Sequence, residues 1–179
     1  LDLYIGIYKL YQKKWLKMSK IIKNFLPKSL LKQIITLITS DSFPWYVHTF
    51  VTFENSKEKE IYFTHILYNE DRINSSSYNL ILSPFIKKIK FKKLIKAKLN
   101  LYPISQKKIE HQWHTDKSYP HKVALFYLNT NNGFTLFKNP YKKIKSESNK
   151  CIIFDGLQEH KSTTCTDKKF RLTLNINYE

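Results

Sequence analysis

From Leu94 to the end of the chain the sequence repeats one pattern: a short apolar or alternating run, a few turn residues, then another run. Leu94 to Tyr102 is closed by Pro103, and Ile109 to Trp113 follows. Val123 to Asn129 ends at Thr130-Asn131-Asn132-Gly133. Phe134 to Phe137, Cys151 to Phe154, His160 to Thr164 and Phe170 to Asn177 complete the set. Short runs of this kind, rich in β-branched and aromatic side chains, are half-buried strands. About seven of them with only turns between are the signature of a sandwich of two sheets, here of jelly-roll type.

The earlier part of the chain is more helical. Ile21 to Leu26 reads as a short strand, and Pro27 stands where a helix starts. Leu30, Leu31, Ile34, Ile35, Leu37 and Ile38 then form one apolar stripe, which Ser40-Asp41-Ser42 ends. Pro44 to Phe53 predicts a strand, Asn55 to Lys59 a polar turn, and Ile61 to Tyr68 a second strand containing His65. Asn74 to Ser77 is a loop and cap for a helix over about Tyr78 to Ile89, in which Pro84 predicts either a kink or a later start. The expected class is therefore α+β, mainly β: a double-stranded β-helix (jelly roll) with N-terminal supporting helices. A chain of 179 residues is long enough for one substantial core. Residues 18–179 read as a single domain beginning near Met18. Residues 1–17 read as an upstream extension foreign to the protein, or as a first amphipathic helix, since Tyr4, Tyr8, Tyr11 and Trp15 recur at helical spacing.

The charge and cysteine content narrow the function. A net charge of +17 invites a nucleic-acid partner, yet only Arg72 and Arg171 among the 31 basic residues are arginine. Nucleic-acid readers use the guanidinium for bidentate contacts, so the lysine bias weighs against that class. No apolar run reaches the roughly 20 residues that span a bilayer, and Leu1 to Leu10 lacks a signal-peptide cleavage pattern, so the expected location is the cytoplasm, with no membrane partner. Cys151 and Cys165 have no metal-like spacing and are expected to be reduced thiols.

Chemistry concentrates in His114, Asp116, His160 and Arg171. His114-Thr115-Asp116 lies between two strand patterns, and His160 follows Phe154-Asp155-Gly156, where the glycine is expected to allow a tight turn. Two imidazoles and a carboxylate can occupy one face of an octahedral metal, the ligand set of non-haem Fe(II) oxygenases. Arg171 comes eleven residues after His160, in the apolar strand Phe170-Arg171-Leu172-Thr173-Leu174. A charge there is costly unless paired, and a guanidinium forks onto a carboxylate in a way that lysine does not reproduce.

At these residues the chain resembles the Fe(II)/2-oxoglutarate dioxygenases, and within them the prolyl-4-hydroxylase-like branch, including small oxygenases of marine bacteria and phages. The resemblance covers roughly Pro44 to Tyr178. It rests on Asn100-Leu101-Tyr102-Pro103, His114-Thr115-Asp116, Phe126-Tyr127-Leu128-Asn129, Gly133-Phe134-Thr135-Leu136-Phe137, Phe154-Asp155-Gly156, His160 and Arg171. It implies that His114, Asp116 and His160 bind Fe(II), that Arg171 holds the distal carboxylate of 2-oxoglutarate, and that Tyr102, Tyr127 and Asn175 line the co-substrate pocket. It also implies the reaction: with O2, 2-oxoglutarate is split to succinate and CO2 while an unactivated C–H bond is hydroxylated. Two departures stand out. Phe134 replaces the second glycine of a frequent Gly-Gly pair, and the interval from His160 to Arg171 is slightly long.

On the substrate side Asn100, Trp113, Tyr119 and the Trp45-Tyr46 pair are candidate contacts, whereas His65, His111 and His121 read as structural or exposed. The lysine-rich band Lys87 to Lys98 reads as a solvated face that could also steer an acidic substrate. The oxidised group is expected to be a peptidyl, prolyl-like residue; the alternatives are a free amino acid or other small molecule, a nucleic-acid demethylase, or a non-catalytic jelly-roll binding module. Related demethylases carry a second arginine where this chain has Asn177, which disfavours that alternative.

Overall fold

Residues 20–49 and 61–179 are described by the computed structural model. The readings placed on residues 1–17, on the turn Asn55 to Lys59 and on the far end of the Pro44–Phe53 run lie outside the described residues. Among the described residues, eleven strands and two helices follow in the order β1 (Lys20–Ile22), α1 (Lys28–Ile38), β2 (Tyr46–His48), β3 (Tyr62–Asn69), β4 (Arg72–Ile73), α2 (Tyr78–Ile89), β5 (Leu94–Pro103), β6 (Lys122–Tyr127), β7 (Phe134–Phe137), β8 (Lys142–Lys145), β9 (Lys150–Asp155), β10 (His160–Ser162) and β11 (Phe170–Tyr178). They build a large antiparallel sheet in the order β1-β9-β6-β11-β5-β3-β2, with β4 on β3, and a small sheet in the order β10-β7-β8. The chain is mainly β, as expected.

Side-chain alternation along β11 explains the layering. Leu172, Leu174 and Ile176 leave one face of the large sheet and join Leu31, Ile34 and Ile38 of α1 and Ile81, Leu82 and Phe85 of α2 in the main core. A second apolar cluster, which includes Val123, Leu125, Phe137, Ile144, Ile152 and Phe154, lies between the inner face of the large sheet and the small sheet. Arg171, Thr173, Asn175 and Asn177 alternate with the core residues and face inward. The helices thus cover the outer face, and the polar residues of β11 are left to the inner one.

Several local expectations are corrected. Ile109 to Trp113 is not a strand: it touches β10 and its extension through isolated bridges, Glu110 to Thr163 and His114 to His160. Backbone bonds are few there, from the His111 amide to the Ser162 carbonyl at 2.9 Å and from the Thr164 amide to the Ile109 carbonyl at 3.0 Å, and side chains supplement them. The Ile109 amide donates to Thr164 Oγ1 at 3.0 Å, and His111 Nδ1 meets Ser162 Oγ at 2.6 Å. Lys142–Lys145 is a strand that the sequence reading missed, because Ile144 is its one buried residue among three lysines. α2 spans Tyr78–Ile89 as expected, and of the two readings of Pro84 the later start is the one that falls, since the helix runs through it. Pro84 forfeits the bond to Leu80, whose side chain is 48% exposed, while buried Ile81, Leu82 and Phe85 hold the helix across the gap. Ser77 makes no side-chain cap; its amide donates to Ser75 Oγ at 3.1 Å instead. Gly156 does not have a positive φ. A Cβ there would stand 2.1 Å from the His121 ring, so close approach of that imidazole is what requires glycine.

Both cysteines are buried free thiols, and burial pushes Cys151 up to about 12. Among the described residues no helix is long and apolar enough to cross a membrane.

Phe85 joins helix and sheet, stacked on Phe25 at 5.3 Å and edge-on to Phe126 at 4.9 Å. Phe85→Ala is expected to destabilise the protein by about 3–5 kcal/mol in urea unfolding, whereas Leu80→Ala on the exposed side should cost about 0.5 kcal/mol or less.

Candidate active site

The loop between β5 and β6 is tied to β10 by a reciprocal backbone pair. The His114 amide donates to the His160 carbonyl at 3.0 Å, and the His160 amide donates back to the His114 carbonyl at 2.9 Å. This pairing sets the two imidazoles side by side, with ring centroids 4.6 Å apart. Asp116 closes the group: its Oδ1 lies 3.9 Å from His114 Nε2 and 3.8 Å from His160 Nε2. Those separations are less than twice a metal–ligand bond of about 2.1 Å, so one ion can touch carboxylate and imidazole together. The donor atoms of all three residues lie within 4.8 Å of one another.

The surroundings prepare these atoms for a cation. His114 Nδ1 lies 3.1 Å from the Gln112 carbonyl and His160 Nδ1 lies 3.0 Å from the Gln158 carbonyl. A carbonyl only accepts, so each Nδ1 carries a proton and each Nε2 is the ring nitrogen that faces Asp116. Burial, and then the neighbouring His160, push His114 down to about 4, which keeps it neutral. Burial opposes ionisation of Asp116, but His160, the Asn175 amide, His114 and Lys98 together outweigh it and hold the carboxyl below its ordinary range. Asn175 Nδ2 donates to Asp116 Oδ2 at 3.0 Å, and Asn177 Nδ2 donates to Asn175 Oδ1 at 2.9 Å. Two imidazoles and an ionised carboxylate, each oriented by a second hydrogen bond, fit a divalent metal.

The other end of the site is Arg171, 1% exposed and the largest fully buried side chain among the described residues. Nε donates to Ser146 Oγ at 2.9 Å and Nη2 to Thr135 Oγ1 at 3.3 Å. The guanidinium carbon sits 5.5 Å from the Tyr102 ring centre and 5.7 Å from that of Tyr127. Tyr127 in turn donates its hydroxyl to Thr135 Oγ1 at 2.8 Å, and burial raises that phenol to about 12. All these partners are neutral, and among the described residues no carboxylate pairs with Arg171. Gly133 makes room for it: a Cβ there would meet Arg171 Cδ at 2.7 Å and Asn131 Oδ1 at 2.8 Å.

The structure therefore brings His114, Asp116 and His160 together and places Tyr102 and Tyr127 against Arg171. Asn175 touches Asp116, at the metal-ligand end of β11, and not Arg171. Asn100 is buried on the same inner face, donating to Thr173 Oγ1 at 3.3 Å. Trp113 lies under Lys161 Nζ at 4.6 Å, and Tyr119 is 42% exposed beside His121. Trp45 belongs to the packing around α1, its indole N–H donating to the Ile38 carbonyl at 2.9 Å, while Tyr46 is exposed. His65 is held between the Pro44 carbonyl and Ser75, His111 against Ser162, and His121 over Gly156. Sequence reasoning missed Ser146 and the Asn177–Asn175 relay. Ser146 follows the strand that lysines concealed, and β11's alternation was the signal for Asn177.

By sequence, no protein-family model and no curated protein matches the chain. By structure, it is similar to an oxidoreductase of the 2OG-Fe(II) oxygenase family from Burkholderia pseudomallei, with a TM-score of 0.68 and 11% identity over 90% of this chain and 84% of that one. It is also similar to the viral collagen prolyl hydroxylase of Paramecium Bursaria Chlorella virus-1 in its 2OG complex, with a TM-score of 0.64 and 14% identity over 92% and 98% of the two chains. A Trichoplax adhaerens prolyl hydroxylase in complex with a hypoxia inducible factor peptide gives a TM-score of 0.60 and 16% identity over 89% and 82%.

Asn175→Leu removes the hydrogen bond that orients Asp116 and is expected to weaken binding of Mn(II) or Co(II), measured by calorimetry, by about 10–100-fold; Asp116→Ala should abolish it. Equal metal affinity in Asn175→Leu and the parent would show that the relay does not orient the carboxylate.

At these identities the likeness is one of architecture, and the chain has the fold of the 2OG-Fe(II) oxygenases, prolyl hydroxylases among them.

Proposed function

We propose that the protein is an Fe(II)- and 2-oxoglutarate-dependent dioxygenase that hydroxylates an unactivated C–H bond, and that its two sheets are the double-stranded β-helix of that class. The observation that carries this reading is one strand serving two ends of a site. Arg171, with no carboxylate paired to it among the described residues, and Asn175, bonded to the Asp116 carboxylate, share the inner face of β11. Their Cα atoms are four residues apart, about 13 Å along a strand. A small diacid fits that arrangement, with one carboxylate on the guanidinium and the keto-acid end at the triad.

In this reading His114, Asp116 and His160 hold the metal, which when bound supplies the oxygen-activating chemistry. Arg171 receives the distal carboxylate through its fork, with Thr135 and Ser146 fixing the plane of the guanidinium. Tyr102 and Tyr127 wall the co-substrate and exclude water around it. Asn175 and Asn177 keep Asp116 in one orientation. The reaction balances as substrate C–H plus 2-oxoglutarate plus O2 giving substrate C–OH plus succinate plus CO2, with one oxygen atom entering each of the first two products. The fold is shared with prolyl hydroxylases, so a peptidyl prolyl-like residue is the first substrate class to test, with small-molecule acceptors second.

Formation of succinate from 2-oxoglutarate, followed by proton NMR, tests the reading. It is expected to require both Fe(II) and O2 and to stop on addition of a chelator. Arg171→Met should raise the KM for 2-oxoglutarate by about 100-fold or more while the far-ultraviolet circular dichroism stays that of a folded protein. Succinate formed equally by the parent and by Asp116→Ala would contradict the proposal.

A further inference from the structure

The lysine band from Lys87 to Lys98 does not stay together in the fold. Lys87, Lys88 and Lys90 are exposed on and just after α2, and Lys92 and Lys93 are exposed in the link to β5. Lys96 and Lys98 lie within β5 and alternate with the core residues Ala97 and Leu99. Their side chains therefore leave the inner face, in line with Asn100 and Tyr102. Their register partners on β11 are Asn177 and Asn175, the two amides that hold Asp116.

These two lysines are partly buried and turned inward, yet they lack the acidic partner that several other lysines have. Lys117 pairs with Glu70, Lys122 with Asp155, Lys138 with Glu159, Lys150 with Glu147 and Lys161 with Glu110. Lys96 and Lys98 make no ion pair or hydrogen bond among the described residues. Lys98 lies over the Tyr62 ring at 5.8 Å, and the acid whose charge reaches both lysines is Asp116, already bonded to Asn175. Lys117 repels Lys96 and Glu70 attracts it, while Lys96 itself repels Lys98. Two ammonium groups on one strand face, about 7 Å apart at their Cα atoms, raise each other's energy unless an anion lies between them. Next along the same face Asn100 is 4% exposed, and its Oδ1 has no hydrogen-bond partner. A buried acceptor in that condition is matched by an incoming donor.

We propose that Lys96 and Lys98 form a carboxylate-binding subsite beside the triad, with Asn100 Oδ1 accepting a neighbouring N–H, so that the molecule oxidised carries a carboxylate next to an amide. This rests on the oxygenase reading for the word oxidised, but the subsite itself is testable without turnover. An acidic peptide and an N-acylated amino acid share the required chemistry.

Titration with N-acetylglycine, with N-acetylglycinamide as the neutral control, is followed through the lysine Cε–Hε resonances, and 2-oxoglutarate affinity is measured by calorimetry on the same samples. The Lys96 and Lys98 resonances are expected to shift saturably with the acid and not with the amide, while those of Lys87 and Lys88 stay put. The double variant Lys96→Met/Lys98→Met should lose about ten-fold or more in N-acetylglycine affinity and keep its 2-oxoglutarate affinity. Asn100→Ala should weaken the acid less than the double variant does. Equal responses to acid and amide, or shifts at Lys96 and Lys98 no larger than at Lys87, overturn the subsite. A saturable lysine response in protein that does not bind 2-oxoglutarate would uphold the subsite and reject the oxygenase reading instead.

Discussion

A guanidinium cannot be buried in a sheet interior without being held, and the way Arg171 is held organises half of this molecule. Its charge rests on two hydroxyls, Ser146 and Thr135, and between two aromatic faces, Tyr102 and Tyr127. Those partners come from β5, β6, β7 and the end of β8, so one side chain ties the large sheet to the small one. The missing Cβ of Gly133 is what lets the chain pass close to Arg171 Cδ. Neutral partners orient a cation without cancelling it. The cost of that burial is offset when an anion completes the fork, which is why a residue so deep in the fold reads as part of a binding site.

The same strand carries the second end of the site. Leu172, Leu174 and Ile176 are fixed in the core under the helices, so Thr173, Asn175 and Asn177 have no choice of face. Asn175 then reaches Asp116, which comes from an irregular loop rather than from the sheet. The loop is positioned by the reciprocal backbone bonds between His114 and His160. A regular strand could not bring His114 and Asp116 to one point so readily, since residues two apart on a strand point the same way some 7 Å from each other. Loss of strand geometry between Ile109 and Asp116 is thus what allows the three donors to converge.

Much of this was legible in the residues, and the failures have physical reasons. Arg171 was visible because a chain that meets nearly every need for positive charge with lysine placed an arginine in an apolar strand. The triad was visible by order and residue type, and the helix stripes by period. Seven strands from Leu94 onward was the right number, from a partly wrong set. Ile109 to Trp113 looked like a strand by composition, but its pairing is broken into isolated bridges, with Ser162 and Thr164 side-chain bonds interleaved among a few backbone ones. Lys142–Lys145 looked like a loop because its exposed face is all lysine. The difference in setting between Lys98 and Lys88 was invisible in sequence, since only the register of β5 against β11 separates an inward lysine from a solvated one.

The central claim is that the triad and Arg171 grip the two ends of one small diacid. Anaerobic titration of the protein with Fe(II) and then 2-oxoglutarate tests it most directly, by watching for the weak visible charge-transfer band of a keto acid chelated to iron. The account predicts that the band forms in the parent protein, weakens strongly in Arg171→Ala and is absent in Asp116→Ala. Iron binding without a band in the parent, or an undiminished band in Arg171→Ala, would contradict it.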